Sequence, residues 1–211
     1  MSSSYVLRYF PLRARAEPIR FLLLASGESF SEETPNWPAD KDQQPLGQLP
    51  VLIEKDADGS EFVLTESQAI EKYLAEKLNL LVKTGLKDTA RENQLRAQLN
   101  DVINLLFNYI YGSESAREET HEQFKKQAEL LVKYHEKVLA ENGSNGHYFG
   151  NKTTYVDICL YTFLAVIRQP NDASIPNCTD FFTESKAPGI NKVFQAVQND
   201  PIAAAYIAKY E

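Results

Sequence analysis

The chain is 211 residues long, 43% apolar and 24% charged, and its formal net charge is −7 at pH 7. Such values belong to ordinary globular proteins and exclude disordered, collagen-like and disulfide-scaffold chains, while leaving open one large domain or two small ones. The acidic balance argues against nucleic acid or an anionic membrane as the main partner, since both reward excess Lys and Arg, and no apolar run approaches the length of a bilayer span.

In chain order, a strand-like run over Tyr5 to Tyr9 is followed by a helix-like run over Ala14 to Ser26. Ile19, Leu22 and Leu23 give that helix an apolar face, and Gly27 is a plausible stop. A possible edge strand covers Phe30 to Thr34. Val51 to Glu54 and Glu61 to Leu64 then flank the turn signal Asp56-Ala57-Asp58-Gly59, which predicts a hairpin, and Ser67 to Leu78 reads as a second helix.

The pattern changes near Leu80 to Gly85 and is helical almost throughout from there. Leu95, Leu99, Val102, Leu106 and Ile110 mark one long helix. Phe124, Leu131, Tyr134 and Val138 mark another, stopped at Asn142 to Gly146. Tyr155 to Ile167 is apolar on nearly every side and is expected at the centre of a bundle, with Thr154 and Asp157 as its cap and N3 partner. Ile190, Val193, Phe194 and Val197 mark a further helix, and Pro201 can begin a last one. The expected class is therefore an α/β domain over 1–82 followed by an all-α domain over 83–211.

Cys159 and Cys178 stand far apart, as do His121, His135 and His147, so neither Cys-x-x-Cys redox chemistry nor a metal site is written in the chain. The N-terminus lacks the apolar core of a secretory leader, which points to the cytoplasm.

Three blocks carry the chemistry: Tyr9-Phe10-Pro11-Leu12-Arg13-Ala14-Arg15-Ala16-Glu17-Pro18-Ile19-Arg20, then Gly47-Gln48-Leu49-Pro50-Val51-Leu52, then Thr65-Glu66-Ser67-Gln68-Ala69-Ile70. In order and spacing they resemble the cytosolic glutathione transferases of the tyrosine type, most closely the sigma class and next the pi class. The likeness extends through the Thr154 to Asp157 cap and covers essentially the whole chain. It implies a thioredoxin-like domain that binds glutathione, a helical domain that lines the electrophile site, and a homodimer. The implied activity is the addition of the glutathione thiolate to electrophilic small molecules, as in detoxification, with glutathione-dependent isomerisation as a related activity of some sigma members.

Glutathione has two carboxylates, an ammonium and a thiol, and the resemblance gives each a partner. Tyr9 would donate its phenol O–H to sulfur and favour the thiolate, aided by Arg15. Leu49, turned outward by a cis Pro50, would pair with the cysteinyl backbone, and Gln48 precedes it. Ser67, opening a helix, would seat the γ-glutamyl carboxylate where the helix dipole is positive, and Glu66 would meet the neighbouring ammonium. Trp37 and Lys41 would hold the glycyl end. Phe10, Arg13, Asn104, Tyr109, Tyr111 and Tyr206 are the candidates for the electrophile side. Taken singly, these residues have ordinary readings too: a strand-end aromatic, a loop Leu-Pro, a helix cap, a solvated lysine.

Two positions depart from the family pattern. Where the pi class has an Asp that reaches into the neighbouring subunit's site, this chain has Leu105, with Asp101 one turn earlier as the nearest substitute. Leu46 stands where several classes carry an aromatic key, which suggests a flatter, sigma-like dimer interface. A non-catalytic carrier of apolar ligands or a structural relative is the alternative function; joint retention of Tyr9, Arg15, Gln48, Pro50 and Ser67 favours the enzyme.

Overall fold

The computed structural model describes residues 4–168 and 177–210. Its strands are β1 (Ser4–Arg8), β2 (Phe30–Glu33), β3 (Val51–Lys55) and β4 (Glu61–Thr65). Its α-helices are α1 (Glu17–Ser26), α2 (Ser67–Lys77), α3 (Leu86–Tyr111), α4 (Arg117–Glu141), α5 (Tyr155–Ile167), α6 (Pro188–Gln198) and α7 (Ala204–Tyr210). They fall into two compact units, Met1–Leu80 with Ile202–Glu211, and Leu81–Pro201.

In the first unit the four strands form one mixed sheet in the order β2-β1-β3-β4, with β1 parallel to β2 and antiparallel to β3, and β3 antiparallel to β4. Directly paired residues share a face, so Val6 and Ile53 lie together with Val51 in a small apolar cluster against which Leu49 packs. On the other face Leu7 and Leu52 are fully buried, and Glu54 is buried with them. Glu54 is tolerated there because it is paired: it accepts from Lys77 Nζ at 2.5 Å and from the hydroxyls of Tyr5, at 3.3 Å, and Tyr73. Burial and the Glu54 charge push the Tyr73 phenol up to about 12.

The first helix starts at Glu17 rather than at Ala14, because Pro18 lacks an N–H and suits a first turn, while Ala14 to Ala16 belong to the turn that enters it. Gly27, at φ 69°, ends it in the left-handed conformation that glycine adopts without strain. The hairpin closes with Gly59, at φ +86°, and a bond from Asp56 N to Ser60 O of 2.9 Å. The last ten residues cluster with this unit, although the helical pattern continues into them from the preceding half.

The second unit is a helical bundle in which α5 is buried along twelve of its thirteen residues. Its start carries the expected capping box: Asp157 Oδ2 accepts the Thr154 backbone N–H at 2.7 Å, and the Thr154 side chain caps the N3 position. The start of α6 is satisfied from outside the helix, since Glu136 on α4 accepts the backbone N–H groups of Gly189 at 2.9 Å and Ile190 at 2.8 Å. Leu95 to Ile110 is the apolar stripe of a longer helix, Leu86–Tyr111.

Candidate active site

The sheet register brings the three sequence blocks to one end of the first unit. Arg8, the last residue of β1, pairs with Val51, the first residue of β3, and Val51 pairs in turn with Thr65 at the end of β4. Tyr9, Pro50 and Glu66 are the next residues of the three segments, so they meet at the same sheet edge although far apart in sequence. Tyr9 is anchored there by its backbone N–H, which donates to Glu33 O at 3.1 Å, and its side chain is 7% exposed.

The Leu49–Pro50 peptide is cis, and Trp37–Pro38 is a second cis peptide. Leu49 is half-buried and Gln48 exposed, in a loop that follows Gly47 at φ +59°. Lys41 lies against that glycine, its Cε 3.6 Å from where a Cβ would sit, which brings the lysine to the Gln48 loop. Phe10 links the aromatic residues: its ring centroid is 5.5 Å from Tyr9 and 5.6 Å from Trp37, edge-on in both pairs.

Ser67 is the first residue of α2, with Glu66 at the N-cap and no side-chain cap hydrogen bond. Regular i to i+4 bonding begins with Ile70 N to Glu66 O at 3.0 Å, so the N–H groups of Ser67 to Ala69 form the positive end of the helix dipole. Glu66 has φ 67° and ψ 112°, a conformation that costs a non-glycine residue about 1 to 3 kcal/mol and persists where the surroundings dictate it.

Two candidates for the electrophile side belong to a polar cluster inside the first unit. Tyr206 is fully buried, and its hydroxyl donates to Glu17 Oε1 at 2.5 Å while accepting from Arg13 Nη2 at 2.6 Å. Arg13 Nε bonds the same Glu17 oxygen at 2.8 Å, leaving its side chain 17% exposed. Arg15 is half-buried on the same turn. In the second unit Asn104 and Tyr109 are half-buried on α3, Tyr111 is 70% exposed, Asp101 is exposed and Leu105 half-buried. Tyr109 sits 6.1 Å from the His121 ring, with the Arg117 guanidinium 5.9 Å from its centroid.

Glu17 and Arg20 carry no role that the sequence alone assigns. Both are buried; Arg20 donates to Glu17 Oε2 at 3.2 Å, Glu32 Oε2 at 2.8 Å, Leu12 O at 2.9 Å and Phe10 O at 3.2 Å, and lies 5.7 Å from the Tyr9 ring centroid. Burial pulls the Arg20 pKa down, but the bond and charge of Glu32, with Glu17 behind them, outweigh it and leave it raised. The available signal was a charged pair at i, i+3 inside the otherwise apolar run Ala16 to Leu24.

Among the described residues no helix is long and apolar enough to cross a membrane, and no group of His, Cys, Asp or Glu is arranged to hold a metal ion.

Residues 5–76 match the family model described as glutathione S-transferase, N-terminal domain, and residues 100–210 match the one described as glutathione S-transferase, C-terminal domain. Among curated proteins, probable glutathione S-transferase 6 of Caenorhabditis elegans is 31% identical over 93% of this chain and 97% of its own length. A glutathione S-transferase of Dirofilaria immitis is 32% identical over 98% and 93%. Among solved structures, the Fasciola hepatica sigma class GST superposes with a TM-score of 0.81 at 25% identity, over 99% of this chain and 97% of that one. NaGST-2 superposes with a TM-score of 0.76 at 28% identity, over 100% and 98%. With both halves matched in order and relatives above 30% identity aligned along nearly their whole length, the chain belongs to the glutathione S-transferase family.

Proposed function

We propose that Tyr9 activates glutathione by donating its hydroxyl to the thiol sulfur, and that the thiolate then adds to an electrophilic small molecule. A thiol of ordinary pKa, about 8.5, is mostly protonated at neutral pH, and a donor aimed at sulfur lowers that value by favouring the charged form. The observation that carries the reading is the register that puts Tyr9, the Leu49–Pro50 peptide and the start of α2 at one sheet edge. A tripeptide laid along that edge would pair its cysteinyl backbone with Leu49 and send its γ-glutamyl carboxylate to the N–H groups and hydroxyl of Ser67. Glu66 would take the ammonium, and Lys41 with Trp37 and Gln48 the glycyl end. Arg15 would add positive potential near the sulfur. Phe10, edge-on to Tyr9, would border the electrophile.

The protein would act as a cytoplasmic homodimer of sigma type; the superposition on the Fasciola hepatica sigma class GST supports the class, and Leu46, 58% exposed at the loop position of the aromatic key, fits its interface. Light scattering after size exclusion tests the dimer; a monomer with full glutathione affinity would refute it.

The test of the catalytic reading is the pH dependence of bound-thiolate absorbance in the wild type and in Tyr9→Phe. The variant should bind glutathione and show a higher thiol pKa, with conjugation of a generic aryl halide slowed about ten- to a hundredfold at neutral pH. An unchanged thiol pKa would remove Tyr9 from the role and leave Arg15 as the next candidate.

A further inference from the structure

We infer that Arg20 is a positioning residue for Tyr9, held in place by Glu17 and, through Glu17, by Tyr206 from the last helix of the chain. The inference rests on the reading of Tyr9 as the donor to sulfur.

The segment from Phe10 to Ala16 lies between β1 and α1, and within it Phe10 O takes the Leu12 N–H at 2.8 Å, Ala14 O the Glu17 N–H at 3.1 Å and Ala16 O the Arg20 N–H at 2.9 Å. The Arg20 side chain adds donors from α1, bonding Leu12 O at 2.9 Å and, as a second donor, Phe10 O at 3.2 Å, the carbonyl of the residue next to Tyr9. Its guanidinium also lies 5.7 Å from the Tyr9 ring centroid, so one group fixes both the backbone leaving Tyr9 and the space beside its ring. The guanidinium is itself fixed by two carboxylates, Glu32 Oε2 at 2.8 Å through Nε and Glu17 Oε2 at 3.2 Å through Nη1. Glu17 is fully buried, and its other oxygen is taken by Arg13 Nε at 2.8 Å and by the Tyr206 hydroxyl at 2.5 Å. Tyr210 and Lys209 reinforce the far side by reaching Glu32 Oε1 at 2.9 and 3.5 Å.

Only arginine meets these demands. Its planar fork presents five N–H donors in fixed directions, whereas a lysine ammonium has three and concentrates them at one point. Lysine at this position keeps the charge and loses the simultaneous hold on both carbonyls and both carboxylates. Catalysis by a hydrogen-bond donor is sensitive to such loosening, because a shift of the order of 1 Å can cost about a hundredfold in rate.

The experiment is a double-mutant cycle of Arg20→Lys with Tyr9→Phe in the full-length protein, read by steady-state kinetics and by the pH dependence of bound-thiolate absorbance. Arg20→Lys alone should lower kcat about tenfold, leave KM for glutathione within about twofold, and raise the bound thiol's pKa. In the Tyr9→Phe background the same change should add little, since its effect runs through a hydroxyl that is already gone. Equal losses in both backgrounds, or an unchanged thiol pKa and kcat in Arg20→Lys, would overturn the inference. If Arg20→Lys does not fold, Tyr206→Phe takes its place in the cycle, with about a threefold loss expected only where Tyr9 is present. If Tyr9→Phe alone leaves the thiol pKa unchanged, the reading of Tyr9 fails and this inference with it; normal Tyr9→Phe behaviour with additive Arg20→Lys defeats the inference alone.

Discussion

Tyr206 donates its hydroxyl to Glu17 Oε1 at 2.5 Å across 189 positions of sequence, and both side chains are fully buried. A buried carboxylate is stable only when its lone pairs are occupied, so the last helix of the chain completes a charge cluster begun at its first helix. Tyr206→Phe keeps the ring and removes that donor, and unfolding stability should fall by about 1.5 to 3 kcal/mol, the range for hydrogen bonds to charged groups. Urea denaturation measures it; a change below about 0.5 kcal/mol would mean that Arg13 and Arg20 satisfy Glu17 by themselves.

Ser67→Ala should weaken glutathione binding by about 1.5 to 3 kcal/mol while turnover at saturating glutathione changes much less. Because Glu66, not Ser67, is the N-cap and no side chain caps α2, stability should fall by less than about 0.5 kcal/mol. Calorimetric titration separates the outcomes: unchanged affinity takes the γ-glutamyl carboxylate away from this helix end.

Glu66 offers a test of strain against binding. At φ 67° glycine avoids most of the cost of a side chain, so Glu66→Gly should be more stable than Glu66→Ala by about 1 kcal/mol. Both should bind glutathione more weakly than the wild type, because both lack the carboxylate proposed to meet the γ-glutamyl ammonium. Paired urea curves and titrations of the two variants give both quantities. Wild-type affinity in either variant would show that the ammonium lies elsewhere.

His135 gives the second unit an acid-sensitive point. Burial alone lowers its pKa from 6.5 to about 3, while burial and the nearby Asp157 and Glu136 charges push the Tyr148 phenol well up, so the Tyr148 hydroxyl that bonds Nδ1 at 2.5 Å stays protonated. Between those two histidine pKa values the unfolded chain binds a proton that the folded chain does not. This contribution to stability is therefore complete above pH 6.5 and is lost as pH falls toward 3, by up to about 1.4 kcal/mol per pH unit. Unfolding at pH 7.5 and pH 5 should show the loss, and His135→Gln, which keeps a hydrogen-bonding partner for Tyr148 and does not titrate, should flatten it. An equal slope in the variant would assign the acid sensitivity to other groups.

At the start of α6 a Cβ on Gly189 would lie 2.8 Å from Glu136 Oε2, the atom that accepts the Gly189 N–H. Glu136→Ala should cost about 1 to 3 kcal/mol by leaving two helix-end donors without their acceptor. Gly189→Ala should cost about 1 kcal/mol by displacing the same carboxylate, and nothing further in the Glu136→Ala background. Thermal unfolding of the cycle checks this; additive losses would mean that the glycine is needed for its backbone and not for the approach of Glu136.

By itself the sequence determined every element whose signal is local. The apolar stripes of α3, α4 and α6, the Thr154–Asp157 cap, the stop at Gly27 and the hairpin at Asp56 to Gly59 arise from side chains within one or two turns of one another. The three blocks around Tyr9, Pro50 and Ser67 were legible as well, because their order and spacing belong to the family. Tertiary structure decided what depends on partners distant in sequence. Strand pairing brought the three blocks to one edge, and packing put α7 with the first unit. The cluster of Arg13, Glu17, Arg20 and Tyr206 has no periodicity to announce it: the sequence puts Arg13 and Tyr206 on the electrophile side and gives Glu17 and Arg20 no role, and only burial, which charges survive by pairing, turns them into a connected network.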